Sequence, residues 1–436
     1  MKASNMRVSK HIVPFFLLFM MIACNQNTND DLVNAGPVKV EIKKENDGYV
    51  LYRGGQPYEF NGAGLSGDIA SLAAHGGTSI RTWAEDAEIL DLAHQYGMTV
   101  FMCFWIHPER QGMDYSDKSA LNEQFDRVKK FVLENKDHPA LLAWCIGNEL
   151  NLNYTDPSVY DEVERISKWI QEVDPNHPTT TTISSVNPEV VKHIKERASS
   201  LDFLSVQVYG DLFVLQDLIK ESNWTKPYMV TEWGAIGHWE MPSTTWGAPI
   251  EQNSTQKAAN YLKGYRQSIE PFGDQCIGNY VFLWGQKQER TPTWYGLFLE
   301  EGEETEAIDV MHYIWNAEWP KNRTPQLESV LLDGKKSNED IYLVAGQDYI
   351  ASVTTKDLDN DSLTYKWVIM KESTETKEGG DHEEVPEKLG VIESAKESSV
   401  EIKAPLEKGP YRLFAYVYDG NGHAAHANIP FYVTEE

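Results

Sequence analysis

The sequence of 436 residues is short of basic side chains and of recognisable cofactor motifs. Lys and Arg number 39 against 66 Asp and Glu, which gives a formal net charge of -27 at pH 7. Such a chain lacks the clustered positive charge that binds a nucleic-acid backbone, so nucleic acid is excluded as a partner. The sequence also contains no CxxC, no HExxH and no glycine-rich phosphate loop, which argues against a metal enzyme and a nucleotide enzyme. We therefore expect no cofactor and no metal, and a neutral or polar partner.

Cysteine is also scarce. Beyond Cys24, only Cys103, Cys145 and Cys276 are present, and an odd number of thiols cannot all pair within one chain. The first two lie in apolar, strand-like runs and the third lies just before one. We expect buried free thiols rather than disulfide bonds.

The one apolar run at the amino terminus covers residues 12–23 and follows three basic residues. It is too short to cross a bilayer well and is typical of a secretory signal peptide. The tetrapeptide Met21-Ile22-Ala23-Cys24 resembles a bacterial lipobox, which implies lipidation of Cys24 after removal of residues 1–23. We expect an exported lipoprotein, anchored to a membrane at the cell surface or in the periplasm, with residues 24–37 as a flexible tether. The alternative is an ordinary signal peptide with an incidental cysteine.

The chain is longer than one hydrophobic core usually organises, so two folded domains are expected. Residues 38–322 alternate short apolar strands with helical patterns such as Ala87–His94 and Val159–Ile166. Eight strands over roughly 260 residues are the size and pattern of a (β/α)8 TIM barrel. A hairpin precedes the barrel and is expected to close its bottom, and a helix around residues 307–315 completes the ring. The predicted strands cover residues 59–63, 79–83, 99–105, 141–147, 179–183, 203–209, 228–231 and 279–284.

Residues 323–436 contain only strand alternation and turns, which predict a β-sandwich. It is similar to the immunoglobulin-like or PKD-like modules of secreted polysaccharide enzymes. The charged stretch Lys371–Glu384 predicts a mobile loop of this module. A run of alternating acids, Asp357, Asp359 and Asp361, has the pattern of a calcium loop but lacks its Gly at position six and Glu at position twelve, so a simple turn is favoured.

Two predicted barrel strands end on a carboxylate. Glu149 follows the fourth strand and Glu232 ends the seventh, and in a TIM barrel the catalytic groups lie at the carboxyl ends of the strands. Strands four and seven face each other across the barrel mouth. Cleavage of an acetal needs one carboxyl group to protonate the leaving oxygen and a second to attack or support the anomeric carbon. We therefore predict Glu149 and Glu232 as a catalytic pair, with barrel-end salt bridges as the alternative.

The Asn148-Glu149 dipeptide and Glu232 resemble clan A of the glycoside hydrolases. The resemblance implies a retaining mechanism, with Glu149 as a general acid/base of raised pKa and Glu232 as an ionised nucleophile. It also implies that Asn148 hydrogen-bonds the sugar 2-hydroxyl. The alternative for Asn148 is a structural role in which its side-chain amide caps a loop.

Further matches to the clan lie at the ends of strands two, six and eight. The resemblance implies that Arg81 keeps Glu232 ionised through its opposite charge and that Tyr209 donates a hydrogen bond to Glu232. It also implies that Trp284 forms the platform under the sugar at the cleavage point. The alternatives are a structural ion pair for Arg81 and core aromatics for Tyr209 and Trp284.

Tryptophan is frequent at or just beyond the strand ends, where indole rings could stack on the C–H faces of sugars. We expect Trp105, Trp233 and Trp246 to bind substrate, and His107 to contact a hydroxyl or to be an ordinary loop histidine. The full set is Trp83, Trp105, Trp233, Trp239, Trp246 and Trp294.

The order of modules, a lipobox, a barrel and one sandwich, is similar to glycoside hydrolase family 158. This resemblance implies an endo-β-1,3-glucanase that degrades laminarin-type glucans. The barrel is also similar to family 2, the β-galactosidase and β-glucuronidase group, but those enzymes place a jelly-roll and an immunoglobulin-like domain before the barrel, where only Cys24 to Tyr58 lie here. Two alternatives stay open. One is another clan A β-glycosidase, including a β-mannanase, and the other is a surface lipoprotein that binds glycans without cleaving them.

Overall fold

The computed structural model describes residues 36–435 except 47, 272, 375, 376, 378 and 396. The predicted signal peptide and Cys24 lie outside the described residues, so export and lipidation stay predictions. Within the described ranges, no helix is both long and apolar enough to cross a membrane.

A small antiparallel sheet precedes the barrel. Ile42 and Tyr49 pack against an apolar cluster inside the barrel that includes Phe203 and Ile277. The N–H of Tyr49 donates to the carbonyl oxygen of Asp274 at 2.7 Å, in the loop before the last barrel strand. The sheet therefore covers the amino-terminal end of the barrel, where the sequence placed it. Its strands are β1 (Val40–Glu45), β2 (Gly48–Arg53) and β3 (Gln56–Pro57).

Nine short parallel strands form a nearly closed barrel. They are β4 (Gly62–Leu65), β5 (Ser79–Arg81), β6 (Thr99–Phe104), β7 (Leu141–Ile146), β8 (Thr179–Thr180), β9 (Thr182–Ser184), β10 (Leu204–Gln207), β11 (Tyr228–Trp233) and β12 (Cys276–Trp284). Their order is β8-β7-β6-β5-β4-β12-β11-β10-β9. The two end strands are separated only by Thr181, and β8 pairs with β7 while β9 pairs with β10. The fifth predicted strand is thus two segments, and the predicted TIM barrel is confirmed.

Side chains alternate between the inside of the barrel and the helical layer, as the period of two requires. Phe101 and Cys103 of β6 belong to the inner cluster, and Val100 and Met102 belong to the cluster under the helices. Cys103 and its neighbour Cys145 on β7 are fully buried free thiols, as expected, and Cys276 is a partly buried free thiol. The helices are α1 (Ile69–Ala74), α2 (Ala87–Gln95), α3 (Lys118–Asn135), α4 (Val159–Val173), α5 (Pro188–Arg197), α6 (Leu215–Glu221), α7 (Ser254–Gly264) and α8 (Glu306–Asn316).

Beyond α8 the chain forms two further sheets with one shared core. Ala351 and Ile402 of the first sheet and Trp367 and Leu413 of the second belong to the same buried cluster. Two sheets with a shared core are therefore present where the sequence predicted a β-sandwich. The strands are β13 (Gln326–Leu332), β14 (Ile341–Val344), β15 (Asp348–Lys356), β16 (Thr364–Lys371), β17 (Lys388–Ala395), β18 (Ser399–Lys403), β19 (Gly409–Tyr418) and β20 (Ala424–Thr434). The orders are β13-β15-β18 and β14-β20-β19-β16-β17, and all neighbours are antiparallel except β14 and β20.

The run of alternating acids forms a turn between β15 and β16. One carboxylate oxygen of Asp357 accepts hydrogen bonds from the N–H groups of Asp359 and Asp361 at 3.0 and 2.8 Å. Asp361 in turn accepts a hydrogen bond from the side chain of Asn421 at 2.8 Å. These contacts are those of a turn that is tied to the neighbouring loop.

The barrel and the C-terminal sheets belong to one compact unit, and a buried ion pair lies where they meet. Lys257 of α7 donates to Glu251 at 2.5 Å. Glu251 also accepts hydrogen bonds from Thr291 and Thr293 of the loop after β12, and from Asn428 of β20 at 2.5 Å. Burial alone would raise the pKa of Glu251, but the charges of Lys257 and His426 and the hydrogen bonds from Lys257 and Thr291 together outweigh burial and lower that pKa to about 2.

We expect Glu251→Gln to lower the free energy of unfolding by roughly 3 to 5 kcal/mol at pH 7, because it leaves the Lys257 charge buried without its partner. The folded-state pKa of about 2 lies below the value of about 4.3 for glutamate in an unfolded chain, so the contribution is complete above that value and is lost as the pH falls toward about 2. Denaturant unfolding measures the change. Glu407→Gln, which removes an exposed ion pair to Lys371 in the C-terminal sheets, is the control and should cost under about 1 kcal/mol. Equal losses in the two variants would contradict the expectation.

Candidate active site

The two predicted carboxylates lie at the carboxyl ends of barrel strands. Glu232 is the fifth of the six residues of β11, and Glu149 follows β7 after a sharp turn. In this turn Gly147 has a φ of +83° and Glu149 has a φ of +47°. A Cβ atom on Gly147 would lie 2.5 Å from the side chain of Leu150, so only glycine fits the turn that brings Glu149 to the mouth.

Glu232 accepts four hydrogen bonds. The Oε1 atom accepts from Arg81 Nη1 at 2.5 Å, from Trp83 Nε1 at 2.7 Å and from Gln207 Nε2 at 3.0 Å. The Oε2 atom accepts from the Tyr209 hydroxyl at 2.8 Å. This arrangement suits an ionised carboxylate, which has only acceptor sites. The two contacts that the clan resemblance implied, from Arg81 and Tyr209, are both present.

Asn148 is held by its side-chain oxygen. Its Oδ1 atom accepts from Arg81 Nη2 at 2.6 Å and from Gln207 Nε2 at 2.7 Å. Because these two donors occupy the oxygen, the amide nitrogen of Asn148 is the group left to donate to a ligand. Arg81 and Gln207, which both donate to Glu232, therefore also orient Asn148.

Glu149 has a different environment from Glu232. Its carboxyl group makes no hydrogen bond to any residue that the structure describes, while Arg110 donates to its backbone oxygen at 3.1 Å. Burial and the nearby charge of Glu232 raise the pKa of Glu149 to about 8. Glu149 is thus protonated at neutral pH. Two carboxyl groups in environments this different can divide the roles of acid and nucleophile.

The sequence did not single out Trp83 and Gln207 as partners of Glu232. Trp83 stands two residues after Arg81, and Gln207 stands two residues before Tyr209. Residues two apart on a strand point to the same side. The same periodicity, applied to Arg81 and Tyr209, would have found both.

Aromatic rings line the mouth around Glu232. Phe282 packs edge-on against Trp83 and Tyr209, with ring centroids 5.8 and 5.9 Å apart. Trp239, in the loop after β11, has its edge on Tyr209 at 5.7 Å and is 59% exposed. An exposed indole beside Tyr209, which donates to Glu232, is a surface on which a sugar ring could stack.

The predictions for Trp284 and Trp233 as substrate-binding residues are wrong. Trp284 is fully buried and stacks on Trp315 of α8 at 5.6 Å, between the barrel and its helical layer. Trp233 is also fully buried and packs against Tyr261 of α7 at 5.7 Å. It directly follows Glu232 on β11, and since adjacent residues face opposite sides, one of the two must point outward.

The half-buried ring of Trp246 packs on Tyr342 and Tyr432 of the C-terminal sheets, 5.5 and 5.8 Å away, and its contact with substrate stays a prediction. Trp105 and His107 lie in the loop after β6, and their rings meet edge-on at 6.3 Å. Their contact with substrate stays a prediction.

A family model described as glycosyl hydrolases family 2, TIM barrel domain, matches residues 59–277, half of the chain. The chain belongs to this family. The family 2 match starts at Glu59, within the first predicted barrel strand, and ends within β12. The different order of modules therefore does not set this barrel apart from family 2, contrary to the expectation from the sequence.

Curated relatives of this family 2 barrel include a β-galactosidase of Leuconostoc mesenteroides, 22% identical over 214 residues, and one of Oenococcus oeni, 23% identical over 220 residues. The matches cover 45% and 46% of this chain but only 20% of each relative. Among solved structures, the FMN-binding β-glucuronidase of Facaelibacterium prausnitzii L2-6 matches with a TM-score of 0.50 and 16% identity, over 91% of this chain and 59% of that chain. This likeness concerns the fold alone.

Proposed function

We propose that this family 2 protein is a retaining β-glycoside hydrolase, with an immunoglobulin-like C-terminal module. The observation that carries the proposal is the contrast between the two carboxyl groups at the mouth. Four donors surround Glu232, whereas burial and the charge of Glu232 raise the pKa of Glu149 to about 8. One group is thereby prepared to attack and the other to give a proton.

In the first step Glu232 attacks the anomeric carbon, and the bond from that carbon to the leaving oxygen breaks. Glu149 gives its proton to the leaving oxygen, and the sugar stays on Glu232 as an ester. The amide nitrogen of Asn148 donates to the 2-hydroxyl, a contact that strengthens in the transition state. Arg81 binds both Glu232 and Asn148, so it fixes the nucleophile relative to the group that orients the sugar.

In the second step the ionised Glu149 takes a proton from water, and the water oxygen attacks the anomeric carbon from the side that the leaving group left. The ester bond breaks and Glu232 regains its charge beside Arg81. Two inversions at one carbon give net retention, which requires the carboxyl groups to be about 5 to 5.5 Å apart.

The substrate is a β-linked oligosaccharide or polysaccharide. The names of the curated relatives support a β-galactoside, and the order of modules, similar to family 158, supports a laminarin-type β-1,3-glucan. A panel of aryl β-glycosides, β-galactans, β-1,3-glucans and β-mannans separates these possibilities by reducing-sugar release and product size.

The product anomer tests the mechanism itself. We expect NMR of the first product formed to give the β anomer from a β-linked substrate, and an α anomer would rule out the double displacement. Glu232→Gln is the control for contaminating activity. If neither protein cleaves any substrate while affinity gels detect binding, the protein is a glycan binder and the proposal fails.

A further inference from the structure

The loop between β16 and β17 of the C-terminal sheets reaches the barrel. We name its segment Gly379–Glu383 the strap. The sequence predicted a mobile loop here, but Glu383 is only 1% exposed. One oxygen of its carboxylate accepts a hydrogen bond from the N–H of Arg290 at 2.6 Å, and the other lies 3.8 Å from Arg290 Nη1. This end of the strap is therefore fixed to the loop that follows β12.

The other end of the strap is fixed to the opposite side of the mouth. A Cβ atom on Gly379 would lie 2.7 Å from Arg110 Nη2 and 2.9 Å from Leu152 Cδ2, and the residue has a φ of +64°. Another residue would strain the backbone at this positive φ and would displace the ends of the Arg110 and Leu152 side chains. The carboxylate of Asp381 accepts a hydrogen bond from Gln111 Nε2 at 2.7 Å.

Both ends lie beside groups of the candidate active site. Arg110 donates to the backbone oxygen of Glu149. On the other side, a Cβ atom on Gly380 would lie 3.0 Å from Lys287 Nζ, and this ammonium group lies 5.7 Å from the ring centroid of Phe282, in the aromatic lining of the mouth. The strap thus joins the loops after β6 and β7 to the loop after β12, which lies three strands from β6 around the barrel.

The charges agree with this placement. The strap carries Asp381 and Glu383, and the barrel loops beneath it carry Arg110, Lys287 and Arg290, together with one acid, Glu289, that pairs with Lys287 at 2.6 Å. The buried Glu383 holds the strap in this position through its hydrogen bond and ion pair to Arg290.

We propose that the strap is a wall of the sugar-binding cleft that limits how many sugar units the cleft accepts, so that short glycosides are preferred to polymers. The proposal rests on the glycoside hydrolase function above and adds a substrate class to it. The C-terminal module is then a part of the catalytic unit that sets specificity.

A shortened variant tests the strap. Because β16 and β17 are antiparallel neighbours, residues 374–385 can be replaced by Gly-Ser-Gly, which leaves a short loop between the two strands. Glu372, which pairs with Arg412, and Glu387, whose carbonyl oxygen accepts from Lys371, are retained. The readout is the ratio of kcat/KM for a pentasaccharide to kcat/KM for the aryl glycoside of the same sugar.

We expect the shortened variant to raise this ratio by about tenfold or more, the size of effect that pocket contacts exert on specificity. Glu407→Gln, on the same module, should leave the ratio unchanged. A ratio within about twofold of wild type overturns the proposal. The shortened variant could unfold at a lower denaturant concentration than wild type and lose both activities. In that case the same ratio of kcat/KM values is measured for the double variant Asp381→Ala/Glu383→Gln, and that ratio decides.

Failure of the proposed function gives a different result. If the wild type cleaves no substrate, calorimetry with the pentasaccharide and the monosaccharide replaces the kinetic ratio. If the shortened variant binds the pentasaccharide more tightly than the wild type does, the result supports the strap as a wall of the cleft, although the enzyme assignment has failed. Equal affinities of the two proteins, or no binding to either, overturn it.

Discussion

Glu232→Ala should lower kcat by about 10⁴-fold or more, because it removes the group that forms the covalent intermediate. The Glu232 carboxylate is also the common partner of Arg81, Trp83, Gln207 and Tyr209, so its removal leaves these four donors without that acceptor. Added azide should restore part of the activity, because a small anion fits in the space left by the carboxylate. Azide attacks from the face that Glu232 used, so the product from a β-glycoside should be the α-glycosyl azide.

The control is Glu306→Ala, which removes a buried carboxylate of α8 outside the mouth and should leave kcat nearly unchanged in the folded protein. Circular dichroism and the unfolding midpoint establish that both variants are folded. Residual activity within about tenfold of wild type, or azide rescue that yields the β-azide, would contradict the role of Glu232 as nucleophile.

The positions of the two carboxylates in the barrel could be predicted from the sequence because they depend on local patterns. Alternation of strands and helices places Glu149 and Glu232 at the carboxyl ends of β7 and β11, and the same rule places Arg81 and Tyr209 beside them. Which way a side chain points is harder to predict, since a strand end found from composition is uncertain by a residue. This uncertainty explains the wrong prediction for Trp233. A shift of one residue along the strand turns a side chain from the barrel mouth to the helical layer.

The strap could not be predicted because it depends on contacts between distant parts of the chain. Glu383 and Arg290 are 93 positions apart, and Asp381 and Gln111 are 270 apart. A run rich in charge and glycine is typical of a solvated loop unless a partner surface of opposite charge is known. The same holds for Trp246, whose partners Tyr342 and Tyr432 belong to the C-terminal sheets.

Activity should fall as the pH rises through about 8. Burial and the charge of Glu232 raise the pKa of Glu149 to about 8, so its acid form dominates below that pH and is lost above it. The first step uses that proton, and kcat/KM for a substrate with a poor leaving group should therefore have an alkaline limb near pH 8. In Glu149→Gln this limb should disappear, because the amide does not titrate in that range.

The leaving group separates proton donation from a structural role of Glu149. For a disaccharide, whose departing alkoxide needs a proton, Glu149→Gln should lower kcat/KM by about 10²- to 10⁴-fold. For a 2,4-dinitrophenyl glycoside, whose phenolate leaves without one, kcat/KM should change little, since this constant reports the first step. The second step still lacks its base, so kcat should fall and a burst of dinitrophenolate should precede the steady state. Equal losses of kcat/KM for both substrates would mean that Glu149 holds the site together without donating the proton, and Glu232 would then need another acid.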